Sequence, residues 1–349
     1  MTTLDDVRER LAEIRPHGMQ RDIVAGGLVR EVTLRDGLVT VQLQPGPLPP
    51  PIVDATVADI RRAVGALPEI AAVEVQLVRG AEQTQAAIPG IGDIVAVAST
   101  KGGVGKSTVA MNLACALQAR GLRVGVLDAD VYGPSLPTML GLSGRPEVIE
   151  QSTVIPLEKF GLKVMSMGFF LDDTSPVIWR GPLVTGLIRQ FLKDVRWGEL
   201  DVLVVDLPPG TGDVPLTLVQ QVPLAGGVVV TTPQPVSLID VERGIAMFQQ
   251  VNTPVLGVIE NMSGYVCPHC GTRDELFGAG GAAHLEQAFG LPILGRIPLE
   301  PAVREAGDAG APIVIAQPEH PISRLYASIA EQVLEGIAAE RTPAPRIVG

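Results

Sequence analysis

Cysteine is scarce in this chain: Cys115, Cys267 and Cys270 are the only three in 349 residues. Three cannot build a disulfide framework, and in a reducing compartment a close pair such as 267 and 270 points to metal binding or redox chemistry instead. Long apolar runs are missing too. No stretch approaches the roughly 18 consecutive apolar residues of a membrane span, and the opening M-T-T-L-D-D-V-R-E-R is charged where a signal peptide would be apolar. A cytoplasmic protein without a membrane partner is expected. Positive charge is in deficit, with 27 Lys and Arg against 38 Asp and Glu and a net charge of -11. This argues against a broad nucleic-acid-binding face. There is no internal repeat, and the segment Ser323 to Ala339 reads as an ordinary closing helix, not a basic membrane-seeking one.

What is present is enough for two globular domains, since 46% of the residues are hydrophobic. Residues 1–80 read as a small α/β domain: a helix over Leu4 to Ile14, strands over Leu28 to Leu34 and Leu38 to Leu43, a second helix, and a strand over Val73 to Val78. Arg35-Asp36-Gly37 supplies a hairpin turn between the first two strands. Residues 81–92 lack periodicity and suit a linker. From 93 to 341, apolar runs alternate with helical patterns: I-V-A-V-A, V-G-V-L, V-L-V-V-D, G-V-V-V-T and V-L-G-V-I. Such runs are strands buried on both faces of a mostly parallel sheet, so the larger domain is expected to be doubly wound α/β. Residues 342–349, T-P-A-P-R-I-V-G, read as a disordered tail.

The strand I-V-A-V-A-S runs into K-G-G-V-G-K-S-T, Lys101 to Thr108, and then into the helical V-A-M-N-L-A-C-A-L. Strand, glycine-rich loop and helix in that order form a phosphate-binding loop. Gly102, Gly103 and Gly105 let backbone N–H groups approach phosphate oxygens, and the helix N-terminus adds partial positive charge. Lys106 is placed to neutralise the β and γ phosphates and the Ser107 hydroxyl to ligate Mg²⁺. Thr100 stands where the general G-x-x-x-x-G-K-[ST] pattern has its first glycine, and Lys101 is an additional lysine at the head of the loop. Thr100, Val104 and Thr108 complete the expected nucleotide-binding segment. Asp128, Asp130 and Asp206 end or follow apolar strands, so all three are expected at the carboxyl edge of the sheet, where carboxylates hold Mg²⁺ or orient the attacking water. Asp206 opens L-P-P-G-T-G-D, a loop suited to sensing the γ phosphate.

Cys267-Pro268-His269-Cys270 is a C-x-x-C with no second such pair in the chain. A structural half-knuckle, a redox dithiol and a shared metal site all remain open. Two thiolates cannot complete a tetrahedral site, whereas two copies at a two-fold axis can. The spacing does not choose between zinc and an iron-sulfur cluster. Cys115, inside an apolar helix, reads as a buried structural thiol.

These residues resemble the Mrp/ApbC family of iron-sulfur cluster carrier ATPases, of the same superfamily as the ParA and MinD partition ATPases. The marks are K-G-G-V-G-K-S-T, L-D-A-D-V-Y-G-P-S (Leu127 to Ser135), W-R-G-P (Trp179 to Pro182), D-L-P-P-G-T-G-D (Asp206 to Asp213), E-N-M-S-G (Glu260 to Gly264) and C-P-H-C followed by F-G-A-G-G. The resemblance implies an ATP hydrolase, slow without partners, that acts as a homodimer and delivers a labile [4Fe-4S] cluster to apo iron-sulfur proteins in exchange with assembly scaffolds. It implies that Lys101 reaches the partner's nucleotide, that Asp130 positions the hydrolytic water, and that Asp128 and Asp206 lie near Mg²⁺. It further implies that Asn261 contacts adenine and that Cys267 and Cys270 hold the cluster. A partition-type ATPase with a structural zinc at the C-x-x-C is the alternative. Residues 1–80 resemble the small iron-sulfur-assembly domain that often precedes this ATPase. Here R-P-H-G-M (Arg15 to Met19) replaces the acidic motif of that domain, and Q-P-G-P-L-P-P-P (Gln44 to Pro51) follows the second strand without a cysteine. A structural or partner-docking role is therefore expected of it.

Overall fold

The computed structural model describes residues 2–16, 22–35, 37–45, 50–77, 87–149, 153–170, 181–267, 269–278 and 281–341. Asp36, Trp179-Arg180, Pro268 and the tail 342–349 lie outside the described residues, as do residues 17–19 of R-P-H-G-M, 46–49 of Q-P-G-P-L-P-P-P and 81–86 of the expected linker. The chain divides into two compact units, Met1–Gln83 and Thr84–Gly349.

In the first unit, α1 (Leu4–Leu11) starts on a reciprocal cap: Thr3 Oγ1 accepts the Asp6 N–H, and Asp6 accepts the Thr3 N–H. Two donors that the helix cannot satisfy are thereby paired. The helix stops short of Ile14, because Ala12 takes up the cap and bonds back to Arg8 and Arg10. β1 (Val29–Arg35) and β2 (Leu38–Leu43) form the antiparallel hairpin, and after α2 (Pro50–Gly65), β3 (Ala72–Leu77) joins β2 in parallel. β1 lies one residue later than the apolar run suggested. Gly37, at φ +77°, turns the hairpin in the left-handed region that favours glycine. Alternation along β2 points Val39, Val41 and Leu43 into a core shared with Val7, Leu11, Ile60 and Val64.

The second unit begins with β4 (Ile91–Ala98), so Ile91 and Gly92 of the expected linker already belong to the sheet. Then come α3 (Lys106–Ala119), β5 (Val124–Asp128), α4 (Leu136–Met139) and the short pair β6 (Val148–Ile149) and β7 (Thr153–Val154). A hairpin of β8 (Leu157–Lys159) and β9 (Leu162–Ser166) precedes α5 (Gly181–Asp194), β10 (Leu200–Asp206), α6 (Asp213–Gln221), β11 (Gly226–Thr231) and α7 (Pro235–Gln250). β12 (Val255–Val266), β13 (Arg273–Asp274), α8 (Gly281–Phe289), β14 (Ile293–Leu299), α9 (Pro301–Asp308), α10 (Ile313–Ala316) and α11 (Pro321–Arg341) complete it.

The sheet order is β13-β12-β11-β4-β10-β5-β9-β8, with β14 also on β12. Among the described strands of this sheet, only β8 and β13 run antiparallel to their neighbours. Every residue of β5 and β11 is buried. Successive strand residues face opposite sides, so both faces of the sheet are covered. α3 packs on β4, β5 and β10 and against α11, which itself packs on β14 and β12, while α5, α6, α7 and α8 follow one another in contact. The parallel register sets Asp206 beside Asp128 on β5 and beside Val97 on β4, which places the strand ends and the loop after β4 on one edge. Among the described residues, no helix is long and apolar enough to cross a membrane.

Candidate functional site

The loop between β4 and α3 is held from below. Ser99 Oγ donates to the Lys101 carbonyl at 2.9 Å, and the Gly210 N–H donates to the Ser99 carbonyl at 2.8 Å, which ties the loop after β10 to the phosphate loop. Val104 is buried beneath. Gly103 and Gly105 both have φ +82°, a conformation that costs an L side chain strain. The open side is a cavity of about 320 Å³ whose lining includes Lys101, Gly103, Gly105, Lys106, Ser107 and Asp130.

Lys106 is only 5% exposed, and its Nζ lies 2.5 Å from Asp206 Oδ1, 3.9 Å from Asp130 Oδ2 and 3.4 Å from Ser107 Oγ. A buried ammonium needs such partners, because desolvating it alone costs several kcal/mol or more. Burial pushes the Asp206 carboxyl above its ordinary value, against the opposing pull of Lys106. Asp206 Oδ2 is buried and accepts no hydrogen bond among the described residues. A carboxylate oxygen with free lone pairs next to the Ser107 hydroxyl is a donor set that suits Mg²⁺, directly or through water.

Asp128 sits differently from expectation. Its Oδ1 accepts the Asp130 N–H, and its Oδ2 accepts the N–H groups of Ser135 and Leu136 and the Ser166 hydroxyl, all within 3.0–3.3 Å. Both oxygens are thus committed to the chain, and Asp128 shapes the 130–136 loop instead of facing the cavity. Burial, with Asp206 next to it, pushes its carboxyl up to about 7. Asp130 does reach the cavity, its Oδ1 held by the N–H groups of Tyr132 and Gly133.

Lys101 faces the cavity, 38% exposed, with Nζ 2.7 Å from Asp240 Oδ2 on α7. The Thr100 methyl packs toward Gly244 of the same helix. Asn261, on β12, touches the loop itself: its Nδ2 donates to the Val104 carbonyl at 2.8 Å. A Cβ on Gly105 would collide with that amide.

Cys267 and Cys270 lie away from the cavity, in the turn joining β12 to β13. The Cys267 N–H donates to Thr272 O at 2.9 Å, and the Gly271 N–H donates to Cys267 O at 2.8 Å. Cys270 is exposed, with Sγ 3.3 Å from Thr272 Oγ1. Hydrogen bonds from Thr272, then from Cys267, hold its thiol below the ordinary value. Among the described residues, no three His, Cys, Asp or Glu side chains gather as a metal site. Cys115 is fully buried in α3 and is pushed up to about 12 by burial.

Asp240, Ser166 and Arg273 take part in these arrangements without having stood out in the sequence. None of the three lies in a motif: Asp240 sits within α7, Ser166 ends β9, and Arg273 opens the charged run Arg273-Asp274-Glu275 after the cysteines.

Sheet order, strand-loop-helix geometry and the paired buried lysine define the class: a P-loop NTPase of the deviant, two-lysine kind on a doubly wound sheet. The chain belongs to the NUBPL iron-transfer P-loop NTPase family, which matches residues 90–334. Residues 4–77 match the iron-sulfur cluster assembly protein family. The chain is 44% identical over 343 residues to the iron-sulfur cluster carrier protein of Synechocystis sp., covering 95% of this chain and 97% of that protein. It is 48% identical over 252 residues to mouse iron-sulfur cluster transfer protein NUBPL, covering 72% and 79%. Among solved structures, the Archaeoglobus fulgidus nucleotide-binding protein in complex with ADP superposes with a TM-score of 0.57 at 43% identity, over 63% of this chain and 87% of that one. Pyrococcus furiosus MinD, at TM-score 0.53 and 24% identity over 70% and 99%, shares the fold. The family is the one that the sequence motifs indicated.

Proposed function

We propose that this protein is an ATP-hydrolysing carrier of iron-sulfur clusters that works as a homodimer. Cys267 and Cys270 from each of two copies hold one [4Fe-4S] cluster as cargo, taken from assembly scaffolds and delivered to apo-proteins in the cytoplasm. The observation that carries the reading is that one chain presents two neighbouring thiols on a surface turn, with no third ligand among the described residues. Two copies supply the four thiolates that such a cluster takes. The names of the relatives support this reading, and the ADP complex of the Archaeoglobus protein supports a nucleotide at the loop.

ATP lies with its phosphates on the N–H groups of 102–105 and the start of α3, with Lys106 moving from Asp206 onto the β and γ phosphates. Ser107 and Asp206 would hold Mg²⁺, which would supply positive charge against the phosphates. Asp130 positions the attacking water, and Asp128 fixes the loop that carries Asp130. Asn261 lies on the adenine side. Lys101 of each copy leaves Asp240 to reach the nucleotide of the other, stabilising charge as an arginine finger does.

Anaerobic purification with iron, sulfide and zinc quantified on wild type and Cys267→Ala tests the carrier reading. About four irons and four sulfides per pair of chains, lost in the variant, are expected. Stoichiometric zinc without reconstitutable iron and sulfide would overturn it in favour of a structural zinc site on a partition-type ATPase.

A further inference from the structure

β12 touches the phosphate loop near its middle and ends at the cysteines. Up to Asn261 it is an interior strand, paired with β11 on one side and β14 on the other. Asn261 Nδ2 donates to the Val104 carbonyl, and both Asn261 and Met262 lie against Gly105. The strand then bends. Met262 has φ +57° and Gly264 φ +133°, and the register against β14 slips between Asn261 and Tyr265.

One side chain closes the bend. Arg273, in the strand that returns from the cysteine turn, donates from Nη2 to the Ser263 carbonyl at 2.8 Å. Its guanidinium covers Gly264 so closely that a Cβ there would lie 3.2 Å from Nε. Val266 pairs with Arg273 and Tyr265 with Asp274, so bend and turn form one braced piece. Tyr265 lies opposite Leu299, only two residues beyond the Ile297 that faces Asn261, so from Asn261 to Cys267 the chain advances about 13 Å along the sheet at strand rise.

The contact at the loop is well placed to sense phosphate. The Val104 carbonyl that accepts from Asn261 belongs to the same planar peptide as the Gly105 N–H, and the two point to opposite sides of that plane. Gly105 lines the cavity. A phosphate oxygen that draws on this N–H rotates and polarises the whole peptide, and therefore alters the acceptor on which Asn261 depends. We infer that β12 couples the two sites within one chain. Asn261 is the positioning residue that reads the 104–105 peptide of the phosphate loop, and the bend braced by Arg273 passes its shift to the Cys267–Cys270 turn. This deepens the carrier reading, on which it rests for what the turn holds.

The test uses the full-length, cluster-free chain and a maleimide, comparing the labelling rates of Cys267 and Cys270 with and without saturating Mg-ATP. Cys115, buried in α3, stays silent as an internal control. In wild type, ATP changes the rate by about fivefold or more, the lower end of ordinary coupling between sites. In Arg273→Ala, which alters no residue of the cavity, ATP still binds as measured with a fluorescent analogue, and the ratio collapses toward one. Asn261→Ala gives the same collapse at ATP concentrations saturating for that variant. If it no longer binds ATP, the Arg273→Ala arm decides alone. A wild-type ratio of one, or the full ratio retained in either ATP-bound variant, overturns the coupling. The assay needs no iron, so its failure leaves the carrier reading standing, and a zinc-only metal analysis leaves the coupling standing.

Discussion

Gly105 and Asn261 give the sharpest test of how the phosphate loop is held. Gly105 has φ +82° and ψ 24°, and a methyl there would strike the Asn261 amide that donates to Val104 O at 2.8 Å. Gly105→Ala therefore incurs two costs: roughly 1–2 kcal/mol for an L residue in the left-handed region, and about 1 kcal/mol for the displaced hydrogen bond. The expected loss is about 2–3 kcal/mol. Asn261→Ala, which loses only the hydrogen bond, costs about 1 kcal/mol. In the double variant the bond is already gone and the methyl has room, so its cost stays at about 2–3 kcal/mol, roughly 1 kcal/mol below the sum of the singles. Urea unfolding without nucleotide, followed by fluorescence of Trp197, which is 2% exposed in this unit, measures all four corners of the cycle. Costs that add to within about 0.5 kcal/mol, the scatter for independent sites, refute the contact and with it the near end of the proposed coupling.

The second prediction concerns the lysines. If Lys101 acts on the partner's nucleotide, mixed dimers of Lys101→Ala and Lys106→Ala chains retain one intact site and recover part of the ATPase activity that each homodimer lacks. Mixtures as inactive as the separate variants would show that Lys101 serves its own chain. The third concerns acid. The folded chain holds the Asp128 proton up to about pH 7, whereas an ordinary aspartate releases it near 3.8. The contribution is thus fully present below 3.8 and is lost as pH rises to about 7. Asp128→Asn removes that dependence, so urea midpoints of the nucleotide-free protein should fall less between about pH 5 and pH 7 than in wild type. Parallel slopes for the two proteins would contradict the raised Asp128 carboxyl, which burial and the neighbouring Asp206 push up.

Much of the site was legible along the chain because its parts are local. K-G-G-V-G-K-S-T carries its own strand and helix, and in a parallel sheet a strand's last residue lies at the carboxyl edge whatever the strand order, so Asp206 and Asp128 were placed without knowing their neighbours. Hidden from sequence were β9 and β14, which lack the continuous apolar runs of the central strands, and the two- and three-residue strands β6, β7, β8 and β13, too short to show a pattern. The function of Asp128 was hidden as well. Its position was read correctly, but a carboxylate takes its function from the donors around it, and Ser166 and the 135–136 peptides reach it only through the pairing of β5 with β9 and the return of the loop.

By itself, then, the sequence determined which chemistry the chain carries: a glycine loop with two lysines, carboxylates at strand ends, and two thiols three residues apart. Each is a local pattern whose backbone geometry follows from its own residues. Only the tertiary structure decided which groups meet. It set Lys101 against Asp240, left one oxygen of Asp206 open beside Lys106, and laid Asn261 on the 104–105 peptide at the cavity. These are contacts between distant segments, and they exist because β11 and β10 flank β4, and β12 lies beyond β11, an order set by packing both faces of one sheet and not by any single segment.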